Sequence, residues 1–277
     1  MILVTGATGN IGSSLLRELR AHDAGSVRAL TRDVATARFP AGVEAVEGDL
    51  ADVSSLKSAL AGVHSLFLVP RLGPDAEILD AARRAGVEHV VLVSSITVHT
   101  HPHLGPAADN AATEKLLEAS GMAWTILRPT QFASNALLWA PTIQAHHPIE
   151  LPYPDASLPT IHPADIASVA RVALAEPGHT GTHYALTGPE PLSARDQLAT
   201  IATLLGRDIP ITEITRERAR PTTAALFGEE AADAVLDITG GDLNPEIQRV
   251  RATVPRLTGE PGRTFRQWAA ENVTAFE

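Results

Sequence analysis

The sequence predicts an α/β fold: a doubly wound parallel sheet followed by a smaller, mostly helical C-terminal part. Three observations predict it. A short apolar run, Ile2 to Val4, is joined to an amphipathic helical pattern through glycines at Gly6, Gly9 and Gly12. Further apolar runs alternate with helical patterns as far as Pro129. From Thr130 onward the alternation stops, and a stretch rich in proline gives way to helical segments.

The opening stretch carries the clearest chemistry. Ile2, Leu3 and Val4 read as a buried parallel strand, and Ile11, Leu15, Leu16 and Leu19 recur at helical spacing opposite Arg17, Glu18 and Arg20. Glycines between the two let backbone N–H groups approach a pyrophosphate, and the helix N-terminus adds partial positive charge. Strand, turn and helix in this order predict a dinucleotide site over Gly6 to Gly12. A second strand, Ser26 to Thr31, ends at Arg32-Asp33. An acid at this strand end accepts from an adenosine ribose 2′-hydroxyl, whereas an arginine suits a 2′-phosphate. Asp33 falls one place late, so Arg32 favours NADP(H) over NAD(H).

Val43 to Val46 is a third strand, running into Gly48-Asp49-Leu50. Asp49 either holds its loop or meets the adenine amino group, and Asp52 can cap the next helix. Ser65 to Val69 is a fourth strand closed by Pro70, Pro74 opens a helix that Gly86 ends, and His89 to Val93 precedes Ser94-Ser95. Ala107 to Ser120 reads as a helix and Trp124 to Leu127 as a strand that stops at Arg128-Pro129. Residues 1–129 are therefore expected to form the dinucleotide-binding domain and residues 130–277 the substrate side.

Within that second part, residues 160–188 return to the sheet domain through a helix at Pro163 to Ala175 and a strand at Thr182 to Leu186. The stretch from Thr130 to Thr160 is expected to be irregular, since six prolines fall between Pro129 and Pro159. Ser193 and Asp196 have the spacing of a capping box at the head of a helix running to Leu205. The last seventy residues read as helical, with breaks at Pro221, Gly240-Gly241 and Pro255 and a closing helix from Arg263 to Phe276.

Composition bounds the rest. The chain has 277 residues, 44% hydrophobic and 19% charged, as in a soluble α/β protein. No apolar run reaches the roughly 18 residues of a membrane span. No charged leader precedes the first strand, and the absence of cysteine rules out disulfides and thiolate catalysis, so a cytoplasmic location is expected. A net charge of −10 argues against a nucleic-acid surface. The expected partner is a small-molecule substrate, bound by a monomer or homodimer.

Several stretches together resemble the atypical, NmrA-like branch of the extended short-chain dehydrogenase/reductases, near its triphenylmethane-reductase and type 2 quinone-oxidoreductase members. They are TGATGNIG (Thr5 to Gly12), LTRD (Leu30 to Asp33), EGDL (Glu47 to Leu50), VSSI (Val93 to Ile96), TEKLL (Thr113 to Leu117), LRPTQF (Leu127 to Phe132), HPADIA (His162 to Ala167) and LTGPEPLS (Leu186 to Ser193). The resemblance covers nearly the whole chain and implies a Rossmann-type sheet. It puts Gly6, Thr8, Gly9, Asn10, Ile11 and Gly12 around the pyrophosphate, Arg32 at the 2′-phosphate, and Asp49 with Leu50 at the adenine. It has Leu68, Val69, Pro70 and Ser94 lining the cofactor channel, and Pro129, Thr130 and Phe132 flanking the nicotinamide. Lys115 matches the family lysine that holds the nicotinamide ribose, and Ser95 the family's catalytic serine.

One departure narrows the chemistry. Related reductases carry a tyrosine four residues before that lysine, where the lysine lowers its pKa for proton transfer. Here that residue is Ala111, and the chain's two tyrosines, Tyr153 and Tyr184, lie elsewhere. Without this donor a plain ketone is a poor substrate, whereas a quinone, an iminium or a stabilised carbocation takes hydride directly. The expected activity is NADPH-dependent reduction of such an acceptor, with a non-catalytic NADP(H)-binding redox sensor as the alternative. Phe132, Asn135, Trp139, Tyr153, His162 and His99 are the candidate substrate wall; Trp139 serves equally well as packing between the two halves, and Ser95 as a bond to its own loop. The His99-Thr100-His101-Pro102-His103 run has no carboxylate close by in sequence and is read as a loop, with no metal expected.

Overall fold

The computed structural model describes residues 1–277. Its first half alternates β1 (Ile2–Val4), α1 (Asn10–Ala21), β2 (Val27–Thr31), β3 (Val43–Glu47), α2 (Leu56–Leu60), β4 (Ser65–Leu68), α3 (Asp75–Arg84), β5 (His89–Val93), the short α4 (Thr97–Thr100), α5 (Gly105–Glu118) and β6 (Ala123–Pro129). Next come α6 (Ala140–Gln144), β7 (Ile149–Leu151), β8 (Ser157–Leu158), α7 (Pro163–Ala175), β9 (Thr182–Leu186), β10 (Leu192–Ser193), α8 (Ala194–Leu205) and β11 (Ile211–Glu213). The chain closes with α9 (Arg216–Phe227), α10 (Glu229–Leu236), α11 (Pro245–Gln248), α12 (Thr253–Thr258) and α13 (Phe265–Glu271).

Seven strands form one parallel sheet in the order β3-β2-β1-β4-β5-β6-β9. β1, β4 and β5 are buried along their whole lengths, which is why they read as unbroken apolar runs. The strand order reverses between β1 and β4, and a crevice outside the carboxyl ends opens at such a point. The Gly6–Gly12 turn follows β1 directly, at that crevice.

Helices cover both faces. On one, Leu15, Leu16 and Leu19 of α1 pack with Ile166, Val169 and Ala170 of α7. Each of these leucines, fully removed from water, stabilises the fold by about 1.5–3 kcal/mol. On the other, Leu56 and Leu60 of α2, Ile78 and Leu79 of α3, and Leu117 of α5 pack with Leu3, Leu66 and Leu92. A separate core joins α8 and α13 through Leu198, Ile201, Phe265 and Trp268.

Some predicted boundaries move. The helix expected from Ala107 spans Gly105 to Glu118, and the stretch from Thr130 to Thr160 is more ordered than its prolines suggest, holding a 3-10 turn at Ala133–Trp139, α6, β7 and β8. Pro221 does not break its helix: α9 runs through it, held to α10 by Arg216 and Arg220 on Asp233. Pro255 sits in the first turn of α12, where a proline's missing N–H has no helical partner to lose. The closing helix is shorter, α13 followed by a 3-10 turn at Val273–Phe276.

Two buried polar groups at the start of α7 tie the last segment of the chain to the sheet domain. Asp165, 1% exposed, accepts from the Arg263 backbone N–H at 2.8 Å and from its guanidinium at 2.6 Å. Burial pushes the Asp165 carboxyl above its usual range, against the pull of Arg263. His162 caps the helix, its Nδ1 accepting from the Ala164 N–H at 3.0 Å, while Nε2 lies 3.3 Å from Glu271. An Nδ1 that accepts has no proton, so the ring is neutral with its proton on Nε2. Burial is the main cause of its lowered pKa, and buried His89, bonded to Thr125, is lowered for the same reason.

Removing Arg263 strands a buried carboxylate. Arg263→Ala should cost about 3 kcal/mol in urea unfolding. Asp165→Asn should cost less, because the guanidinium left behind is 36% exposed and can hydrate; the reverse order would contradict this account. For His162 and His89 the folded pKa lies below the unfolded value of 6.5. Their stabilisation is complete above that value and is lost as pH falls through the folded pKa, at up to about 1.4 kcal/mol per pH unit for each histidine. His162→Asn keeps a capping oxygen without a titrating ring, and should flatten the plot of unfolding free energy against pH below 6.5.

Candidate active site

The turn after β1 is built for close backbone approach. Gly6 has φ +59, in the left-handed region, and a Cβ on Gly12 would lie 2.2 Å from the Gly6 carbonyl oxygen. Only glycine at both positions lets α1 seat this tightly on the turn. The N-cap of α1 is Gly9, which has no capping side chain, so the first-turn N–H groups face outward unclaimed, with Thr8, Gly9 and Asn10 exposed and Ile11 buried beneath. Buried Thr5 links this turn to β4: its Oγ1 donates to the Phe67 carbonyl and accepts from the Val69 N–H, both at 3.0 Å. That bond sets Val69 beside Gly6 as the turn's wall, and Pro70 follows half-buried. The Leu68 side chain points away into the core with Leu3 and Leu66, so of the expected channel residues after β4 only Val69 and Pro70 reach the crevice.

At the next strand end, Arg32 is exposed and makes no ion pair. Asp33 is not available to a ribose. Its carboxylate accepts from Thr36 Oγ1 at 2.8 Å and from the N–H groups of Ala35 and Thr36, bonds that hold its pKa below the usual range. Arg32, Glu47, Gly48, Asp49 and Ser55 line one open cleft. Asp49 holds its loop, with Oδ1 accepting from the Ala51 N–H at 3.0 Å, and Asp52 caps a 3-10 turn as expected. Leu50 is buried just behind.

The ends of β5 and β6 meet closely: Ser94 N–H donates to the Leu127 carbonyl at 2.7 Å and Ile96 N–H to the Pro129 carbonyl at 3.0 Å. Ser94 is buried, its hydroxyl donating to Glu114 Oε1 at 2.5 Å. Glu114, 3% exposed, is also gripped by Arg128, through Nε at 2.9 Å and an Nη at 2.5 Å. Ser95 bonds to its own loop, with Oγ 2.8 Å from Thr97 Oγ1 and accepting from the Thr97 N–H. Buried Thr130 donates its N–H to the Leu186 carbonyl at 2.9 Å, while its Oγ1 has no protein partner.

This geometry corrects the placement of Lys115. The inward face of α5 is formed by Ala107, Asn110, Thr113, Glu114 and Leu117. Successive residues are about 100° apart around a helix, so Lys115 lies on the outer face, and it is exposed. The inward pair one helical turn apart is Asn110 and Glu114, in place of Ala111 and Lys115. Glu114 and Arg128 were both missed as site residues; the signal available was a carboxylate in phase with Ala107, Asn110 and Leu117.

The remaining expected substrate residues are spread apart. Phe132 is half-buried against the α1–α7 core, and Asn135 and His99 are exposed. Trp139 packs within the C-terminal part, on the α8–α13 core, and not between the two halves as its packing alternative has it. Tyr153 lies against Gly240 in the helical part, where a Cβ on the glycine would come within 2.3 Å of its own. His162 is committed to its cap. His101 is fully buried and bonds the Asp242 carbonyl at 2.6 Å, while His103 Nε2 lies 3.5 Å from the Asp242 carboxylate, so these histidines dock the α4 loop onto the segment after α10.

No helix is long and apolar enough to cross a membrane. A family model described as NAD(P)H-binding matches residues 6–177. The chain is 38% identical to the (4-alkanoyl-5-oxo-2,5-dihydrofuran-3-yl)methyl phosphate reductase of Streptomyces griseus, an alignment covering 100% of this chain and 99% of that protein. It is 34% identical to the NAD(P)H azoreductase of Xenophilus azovorans, over 100% of this chain and 99% of that protein. Among solved structures, an NADPH-dependent quinone oxidoreductase of Escherichia coli complexed with NADPH matches with a TM-score of 0.79 at 27% identity, over 99% of both chains. The chain belongs to the NAD(P)H-binding family, and the Streptomyces and Xenophilus relatives that it matches along its whole length are reductases.

Proposed function

We propose that this protein is an NADPH-dependent reductase that delivers hydride to a small, electron-poor acceptor such as a quinone, an imine or iminium, or a dye-like cation. One observation carries the reading: the inward positions of α5 hold Asn110 and Glu114, with no tyrosine, and Glu114 is committed to Ser94 and Arg128. No phenol stands where related reductases protonate a developing alkoxide, which restricts turnover to acceptors whose own π system takes up the hydride's electrons. An azo bond and an unsaturated lactone, the groups named for the Xenophilus and Streptomyces relatives, belong to the same electronic class.

The residues present fit the dinucleotide. Bound NADPH would supply the hydride. The unclaimed N–H groups at the start of α1 would hold the pyrophosphate over Gly6 to Gly12, and Arg32 the 2′-phosphate. Asp49, with Oδ2 still free, would take the adenine amino group, beside Leu50. Val69 and Pro70 would flank the chain of the cofactor, and the unpartnered Thr130 hydroxyl, with Pro129, would fix the nicotinamide. Phe132 and Asn135 would orient the acceptor, with Ser95 held to Thr97 behind them, and His99 and Tyr153 would lie further out. Holding donor and acceptor together in a dry site is worth up to about 7–11 kcal/mol of the barrier. The absence of cysteine fits work in the reducing cytoplasm.

Two experiments test this. Arg32→Ala should weaken NADPH binding about tenfold or more, the loss expected for a charged hydrogen bond, and leave NADH nearly unchanged; equal effects on both would remove the case for the phosphate contact. Purified protein should oxidise NADPH steadily with quinones, imines or azo dyes and only slowly with simple aliphatic ketones. Tight NADPH binding without turnover across that panel would instead establish a redox sensor.

A further inference from the structure

Two side chains at the adenosine end of the crevice have no role in the fold, and they carry opposite charge. Thr31 and Glu47 are Cα partners on the last rung between β2 and β3, and Arg32 follows directly. The Gly48 N–H donates to the Thr31 carbonyl at 2.9 Å, extending the register past the strand ends. A Cβ on Gly48 would lie 2.8 Å from Leu30 Cδ1, so the backbone beside Glu47 is seated firmly.

The same two strands do form an ion pair elsewhere. Arg28 and Glu44 are Cα partners, and their side chains meet at 3.1 Å. Arg32 and Glu47 line one cleft and form no such pair, and Glu47 is exposed with no hydrogen-bond partner. Of the other lining groups, Asp49 has one oxygen on the Ala51 N–H, and Ser55 Oγ is engaged with Asp49 and the Asp52 carbonyl. One guanidinium therefore faces two carboxylates in the cleft where an adenosine 2′-substituent would sit.

We propose that Glu47 is a counter-determinant of cofactor choice, whose carboxylate opposes a 2′-phosphate at Arg32 and accepts from a ribose 2′-hydroxyl. This rests on the cofactor reading above and deepens it. The two devices that usually decide between the dinucleotides at one strand end are here divided between two strands: the arginine after β2 and the acid at the end of β3. A phosphate monoester with charge near −2 gains from Arg32 and loses to Glu47, whereas a neutral hydroxyl gains from Glu47 alone. The enzyme therefore prefers NADPH less strongly than Arg32 by itself would dictate, and uses NADH as well.

Glu47→Gln tests it. Dissociation constants for NADPH and NADH, read from reduced-nicotinamide fluorescence, should diverge: NADPH tightens about threefold at low ionic strength, and NADH does not tighten. The gain for NADPH should shrink as salt is raised, because the interaction is between exposed charges. An NADPH:NADH affinity ratio unchanged by the substitution, or a gain insensitive to salt, would overturn the proposal. Arg32→Ala separates this from failure of the underlying reading: if that change affects both cofactors alike, no 2′-phosphate is held at this strand end at all.

Discussion

The contact of Gly12 on the Gly6 carbonyl is the constraint from which the rest of the structure follows. With no Cβ at either place, α1 starts almost on top of β1, and its first-turn N–H groups open at the point where strand order reverses. The same seating lays Leu15, Leu16 and Leu19 along α7, so the turn that would bind phosphate also fixes how half of the core packs. A side chain at Gly12 would lift the helix from the sheet and disturb both at once. Binding surface and core cannot be separated here, since both depend on one backbone approach.

Polar contacts join the C-terminal half to this platform, alongside apolar packing such as that of Val254 on the α1–α7 core. Asp165 grips Arg263, His162 faces Glu271, and His101 holds the Asp242 carbonyl. Each links a residue near a sheet loop to a segment at least seventy positions later. Buried contacts of this type specify geometry well, because a misplaced partner leaves a polar group unsatisfied. They also explain why histidines, which look like catalytic or metal-binding candidates in the sequence, are spent on assembly. In the His99–His103 run it is His101 that is buried in such a contact, while exposed His103 only faces the same Asp242.

How legible the molecule was in its sequence varied with the kind of signal. β1, β4, β5 and α1 were readable because burial on both faces and a 3.6-residue period leave unambiguous patterns. Capping residues were readable for the same local reason: Ser193 with Asp196, and Asp52, act as their spacing says. Side-chain phase on α5 was not. An offset of one residue turns a side chain by about 100°, and in a stretch reading NAATEKLLE the only mark of the inward residue is the phase that Glu114 shares with Ala107, Asn110 and Leu117, a faint signal beside a lysine one place later. Pro221 misled because α9 continues past a residue that local propensity would reject, and exposed ion pairs to α10 are too weak by themselves to explain it.

The identity of the inward residue matters more than a change of number. A lysine facing the site would hold a cofactor hydroxyl and bias a neighbour toward proton transfer. A glutamate tied to Arg128 and Ser94 does neither: its charge is balanced within the protein, and it takes the Ser94 proton as a hydrogen-bond acceptor. Ser95 is likewise turned to Thr97. The hydroxyl groups at the ends of β5 are thus engaged by the protein, whereas Thr130, at the end of β6, retains an unpartnered one. An arrangement that positions and shields, with no proton donor in place, matches an acceptor that needs only hydride at the moment of transfer and can draw its proton from water afterwards. The missing tyrosine and the inward glutamate are therefore two aspects of one constraint on the reaction.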